Sequence, residues 1–437
     1  MVTVRSSLAL IALFSLTLAP VRAAAPSESA TTWSGFRGAA GSGVSEESGL
    51  PVSWSETKHL AWQIDLPGRG NSSPTVTSKC VFLTTQMSDK SLHVLAIDRS
   101  DGRMLWNKDV GGGELATTGP KRLYVERHDP ATPTAVADEE HVWAFFGSGR
   151  LVCFDHEGEL KWKQDLVSKY GDYDIAFGMA SSPRLWGDLL YLAAMHKGAS
   201  YVVALDKRSG EEVWKTSRTY PAEDDGFDSY SSPIVYERPE RTELLVSGAD
   251  HVDAYDMKSG KKLWFSSGLK IDSQYGRILA SPAVADNAIV VCSGDPAGAG
   301  LGHVIALKPG GSGDITESHR LWKYSPNTPD SPTPVCYQGK AYMISDEGVA
   351  SCIDVITQKR YWRKRLAKGP YHASTIAGDG KVYFLSLDGV CTVVAAGEKG
   401  ETLHENALPG TFYATPAVGN GRMYLRGHHK LYAVGSE

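Results

Sequence analysis

The chain has few cysteines for its length, and none is placed for paired chemistry. There are six in 437 residues: Cys80, Cys153, Cys292, Cys336, Cys352 and Cys391. No CxxC occurs, which removes zinc ribbons and thioredoxin-like redox sites, and no CxxCH is present to attach a c-type haem. Most of the cysteines sit inside apolar runs such as Leu151-Val152-Cys153-Phe154, where a thiol serves as a small hydrophobe. Beyond the N-terminus no stretch approaches 18 consecutive apolar residues, so no membrane span is expected. Basic residues do not cluster, and the formal charge is −5, so nucleic acid is excluded as a partner. No long segment of helical period alternates with the strand-like runs, which argues against a parallel α/β fold. Gly-x-Ser-x-Gly is also missing, and the Gly-rich Gly294–Gly302 stretch lacks the Lys-Ser/Thr ending of a phosphate loop.

The N-terminus reads as an export signal. Arg5 precedes an apolar core from Leu8 to Leu18, and Val21-Arg22-Ala23 offers a cleavage point after Ala23. The division expected is a signal peptide over 1–23, a lead segment over 24–55 and one domain over 56–437. The mature protein would be periplasmic or secreted.

What the chain has in excess is glycine (45), tryptophan (11) and internal repetition. One unit is a hydroxyl residue, proline and a β-rich run: Ser73-Pro74, Thr132-Pro133, Ser182-Pro183, Ser232-Pro233, Ser281-Pro282, Thr333-Pro334 and Thr415-Pro416, with Ser374-Thr375 as an eighth copy. A tight turn and a second strand follow. A second unit comes next in each repeat. Asp98, Gly102 and Trp106 are spaced like Asp206, Gly210 and Trp214, and like Asp256, Gly260 and Trp264. Trp162, Trp322 and Trp362 belong to imperfect copies. Here Asp caps a turn, Gly takes the left-handed backbone, and Trp covers a large apolar area.

Four strands per repeat of this length predict an all-β, eight-bladed β-propeller of four-stranded blades. Trp62 has no hairpin before it, and the last copy, from Thr415, has no fourth strand. The strand around Trp62 is therefore expected to complete the last blade and close the ring by pairing N- and C-terminal strands.

The Ala-x-Asp-x-x-x-Gly-x-x-x-Trp units resemble the tryptophan-docking repeats of quinoprotein alcohol dehydrogenase-like propellers. Trp33-Ser34-Gly35-Phe36-Arg37-Gly38, with Gly41, Gly43, Gly49-Leu50-Pro51 and Trp54, is similar to the lead of secreted PQQ-binding-like β-propeller repeat proteins. The architecture also resembles the propeller subunit of the outer-membrane β-barrel assembly machinery. That resemblance implies three functions: a non-catalytic binding or scaffold protein, a PQQ-dependent periplasmic oxidoreductase with PQQ and Ca²⁺ as cofactors, or an outer-membrane assembly-type scaffold. The adjacent cysteine pair of the dehydrogenases is missing, so no catalytic residue is carried over and the non-catalytic reading leads.

In such a propeller the loops entering the Ser/Thr-Pro strands converge on one channel mouth. They carry Arg69, Asn71, His128, Asp129, Tyr173, Asp174, Phe177, Asp228, Tyr230, Tyr275, Arg277, Tyr371, His372, Phe412 and Tyr413. Aromatics with arginine suit a planar, polyanionic or sugar-like ligand. A protein, a cell-envelope component or a small ligand is the expected partner, and the chain is expected to be a monomer. No metal site is expected: His428-His429 reads as a solvated turn and Asp224–Asp228 as a solvated acidic loop.

Overall fold

The computed structural model describes Met1 and residues 32–115, 127–296, 301–367 and 369–435. The signal-peptide reading lies outside these residues. Among them are eight sheets, each built on four antiparallel strands. The first blade runs Thr75–Val76, Cys80–Gln86, Ser91–Asp98 and Met104–Gly112, in sequence order from the axis outward. The inner strands of the next six begin at Val136, Arg184, Ile234, Ala283, Val335 and Ile376. The last blade joins Ala417–Gly419, Arg422–Arg426 and Lys430–Val434 to Leu60–Asp65 as its outer strand, with Trp62 opposite Ala433. The ring thus closes as the repeat arithmetic requires. Among the described residues helix is limited to Leu166–Tyr170 and a single 3₁₀ turn at Asp224–Phe227.

Six of the eight blades dock on the next through a tryptophan; the outer strand of the seventh, Thr402–Ala407, has none. The indole N–H of Trp62 donates to the Arg99 carbonyl, Trp106 to His156, Trp162 to Lys207, Trp214 to Met257, Trp322 to Val355 and Trp362 to Gly397. In the regular copies the acceptor is the residue after the turn Asp of the following blade. That Asp side chain caps its own turn: Asp98 accepts the Ser100 N–H, Asp206 those of Arg208 and Ser209, and Asp256 those of Lys258 and Ser259. Trp264 departs from the pattern and donates to Glu243. The next repeat carries the glycine-rich insertion, whose Gly313–Asp314 pairs in parallel with Trp264's own strand.

One repeat needs a register correction. The inner strand of the second blade starts at Val136, two residues later than Thr132-Pro133 would place it, and the residue equivalent to Ser73 is Thr134. Val136 lies opposite Trp143 as Thr75 lies opposite Phe82. Trp143 stands eight residues after Ala135, the same interval that separates Pro74 from Phe82.

With that register, one hydrogen-bonded circuit links all eight blades. Ser73 N–H donates to the Thr134 hydroxyl, Thr134 to Ser182, Ser182 to Ser232 and Ser232 to Ser281. Ser281 donates to Thr333, Thr333 to Ser374, Ser374 to Thr415 and Thr415 back to Ser73. The N···O distances lie between 2.9 and 3.1 Å.

The lead segment is part of the propeller's interior. Trp33 pairs with Val76, and the carbonyls of Ser34, Ala40 and Gly43 accept the N–H groups of Ala137, Val235 and Ala377. Val44–Ser45 adds a parallel strand to the inner edge of the seventh blade. The segment therefore spans the axis. Fully buried Arg37 donates to the carbonyls of Thr333, Pro334 and Thr375 across it and to Gly41 and Ser42 of the lead itself. Arg184 answers from the third blade, donating to Phe36, Gly38 and Ala39. Among the described residues no carboxylate meets either guanidinium, and burial lowers both pKa values to about 9. Leu50 to Trp54 then runs outward over the seventh blade, held by Asp379, Tyr383 and Asn406.

The turn glycines under the tryptophans do more than permit a positive φ. At Gly260 (φ 68°) an added Cβ would lie 2.3 Å from the Trp214 ring, whereas at Gly339 (φ 72°) it would meet nothing within 4 Å. Gly339→Ala should cost about 1 kcal/mol from backbone strain alone. Gly260→Ala should cost about 3 kcal/mol, because the docked tryptophan must also shift. Urea unfolding of the two variants against the parent measures the difference.

Candidate functional site: a blind cup at the channel mouth

Side chains alternate along an extended segment, so residues two apart share a face. The loops that lead into the inner strands obey this rule. The eight ring hydroxyls line a cavity of about 190 Å³, and so do the eight residues two positions before them: Asn71, Thr132, Ala180, Tyr230, Leu279, Ser331, His372 and Tyr413. Arg127, His128, Phe177 and Arg277 form the remaining wall, and Phe36 of the lead lies in the floor. The cavity is a two-tier cup, closed below where the lead crosses the axis.

Seven residues expected at the mouth line this cup: Asn71, His128, Phe177, Tyr230, Arg277, His372 and Tyr413. Others stand elsewhere. Tyr371 and Phe412 precede ring residues by three, an odd number, and turn into the hydrophobic interior. Tyr371 is fully buried and its hydroxyl donates to the Ala367 carbonyl. Tyr173 is buried with its hydroxyl against that of Tyr201. Asp174 is half-buried, and its carbonyl accepts the Lys197 N–H. Tyr275 is 44% exposed on the outside. Arg69 pairs with Gln86 through its backbone. Asp129 accepts the Ala131 N–H, and burial raises its pKa to about 6 against the pull of Arg426 and Arg69. His429 is exposed, but His428 is half-buried and stacks on Tyr413, 5.2 Å between ring centres.

Arg127, Ser331, Thr132, Ala180, Leu279 and Phe36 went unforeseen. The period-two rule counted back from each ring hydroxyl would have found Thr132, Ala180, Leu279 and Ser331. Arg127 and Phe36 arrive from a loop and from the lead, which no repeat spacing locates.

The cup's cations are braced from behind. Arg277 lies 3.2 Å from Asp225 and 4.0 Å from Asp330, and its guanidinium covers the Phe177 ring at 5.3 Å. Arg127 lies 3.1 Å from Asp330 and 3.6 Å from Asp346. His372 sits 3.2 Å from Asp346 and stacks on Tyr413 at 5.3 Å. Burial drives Asp330 up, while His372, Arg127 and the Ser331 N–H hold Asp346 down despite its burial. None of these carboxylates lines the cup. Burial lowers the His128 pKa to about 4, so that ring is neutral at pH 7.

The sequence profile of the PQQ_2 family, described as "Outer membrane protein assembly factor BamB", matches residues 40–127 and 125–364. The chain belongs to this family. Solved structures share its fold at low identity. BamB from Moraxella catarrhalis is 14% identical with a TM-score of 0.61, over 86% of this chain and 99% of that one. Quinohemoprotein alcohol dehydrogenase from Comamonas testosteroni is 13% identical with a TM-score of 0.65, over 93% of this chain and 80% of that one. A europium-containing methanol dehydrogenase is 12% identical with a TM-score of 0.66, over 93% and 98%. No curated protein sequence matches the chain.

The quinone and calcium that the sequence resemblance implies can be tested against the residues here. A calcium ion wants several uncommitted oxygen ligands. The carboxylates nearest the cup are engaged with Arg127, Arg277 and His372, and among the described residues no group of three or more His, Cys, Asp or Glu is arranged to hold a metal. All six cysteines are buried as free thiols, and none neighbours another in sequence. The residues do not fit a calcium–quinone centre.

Asp228 makes the mouth sensitive to pH. It accepts the Ala176 N–H, and burial raises its pKa to about 7. The folded state thus holds a proton that the unfolded chain, with an ordinary carboxylate, releases near pH 4. Its contribution is stabilising at low pH and is lost as pH rises from about 4 through about 7. Asp228→Asn, which keeps an acceptor for Ala176, should remove that decline. Melting temperatures of parent and variant from pH 5 to 8 give the comparison.

Proposed function

We propose that the protein is an exported, non-catalytic propeller that binds a ligand, or a group presented by a partner, in the cup. The observation that carries this reading is the cup itself: aromatic faces and two braced arginines converge on it, and among the described residues no group of three or more His, Cys, Asp or Glu is arranged to hold a metal. The sequence pattern at Arg5, Leu8–Leu18 and Ala23 supports export. Among the described residues no helix is long and apolar enough to cross a membrane. The family's description as an assembly factor supports a protein partner over a turned-over substrate, and an envelope scaffold role would fall within the same reading.

The test is catalytic. Purified protein incubated with PQQ and Ca²⁺ should show no dye-linked oxidation of primary alcohols above background. Turnover that disappears in Arg277→Ala would replace this reading with the oxidoreductase one.

A further inference from the structure

The ring hydroxyls have one bonding direction left. Each accepts an N–H from the preceding blade, which occupies one lone pair and leaves the hydroxyl proton to donate. Among the described residues none of the eight has an acceptor for that proton. All eight are buried, and all eight line the cup. Buried donors in folded proteins are ordinarily matched, so the ring has the form of a receptor whose acceptor comes from outside the fold.

The wall above agrees in sign. Arg127 and Arg277 both line the cup, and no carboxylate does. Arg277 is 6% exposed, and its Nε is buried with no hydrogen-bond partner. The carboxylates that hold the arginines stand behind them, which fixes the guanidinium planes without placing a negative charge on the cavity surface. The hydroxyl ring on one tier and two cations in the wall above it favour an anionic guest rich in acceptors, while Phe36, Phe177, Ala180 and Leu279 supply the apolar part of the lining.

We propose that the cup is an oxyanion receptor, with the hydroxyl ring and the two arginines gripping a phosphate- or sulfate-class group. The proposal rests on the mouth-binding reading above and names its ligand chemistry. Such a group could arrive as the free ion or on an aromatic carrier, since the parallel His372–Tyr413 pair offers a flat face beside it.

Calorimetric titration of the full chain with inorganic phosphate and with phenyl phosphate, at constant sodium chloride and pH 7.5, tests this. Saturable one-to-one binding is expected for at least one probe. Arg277→Gln should weaken it by about tenfold or more, as removal of a charge-assisted contact does. Ser281→Ala should weaken it by about threefold to tenfold, the worth of one hydrogen bond. Ser281→Thr, which restores a hydroxyl, should recover most of the affinity and so separates donation from ring stability. Stronger binding of phenyl phosphate, lost in Tyr413→Ala, would assign the aromatic carrier; equal binding would assign the free ion. The inference is overturned if neither probe binds saturably, or if binding survives both Arg277→Gln and Ser281→Ala. Either result leaves the non-catalytic reading to its own quinone assay.

Discussion

Eight blades can close around an axis only if each inner strand is held at the same height as its neighbours. The circuit of backbone N–H groups and Ser/Thr hydroxyls supplies that constraint. Each bond contributes about 1 kcal/mol net, but the circuit's larger effect is geometric. It requires a hydroxyl at one fixed position in every repeat, and that position then fixes which residues upstream face the channel. The mouth, the cup and the register of the inner strands all follow from it.

At the periphery a different contact repeats. Each regular tryptophan lies over the turn glycine of the next blade and donates to a carbonyl beside it. The inner circuit is polar and narrow, whereas the outer contact is large and apolar. Together they fix the wedge angle of a blade at both ends. Where the outer contact fails, at Trp264, the chain spends an insertion to cover the exposed strand edge.

The lead segment converts a channel into a cup. Buried Arg37 and Arg184 reach from opposite sides and are satisfied wholly by carbonyls. Glycines at 41 and 43 leave room for them, since a Cβ at either would lie 2.5 Å from a guanidinium nitrogen. A ligand entering the mouth therefore meets a floor, and the binding chemistry is confined to one face of the molecule.

Local spacing in the sequence determined the all-β class, the count of blades, the tryptophan anchors and the closure through Trp62, because each depends on residues within one repeat or on an imbalance between repeats. It also determined part of the mouth. Asn71, Tyr230, His372 and Tyr413 lie two residues before a ring hydroxyl, and alternation alone sends them inward. Tyr371 and Phe412 were candidates for the same reason of composition, yet odd spacing buries them in the blades. The register of the second repeat was obscured by Thr132-Pro133, a local match two residues out of place. The hydroxyl circuit, the pairing of Arg127 with Asp330 across 203 residues and the closing of the floor by Phe36 exist only in the folded ring. The circuit's bonds run from one repeat to the next, and the other two contacts join residues whose separation follows no repeat, so only tertiary structure could decide them.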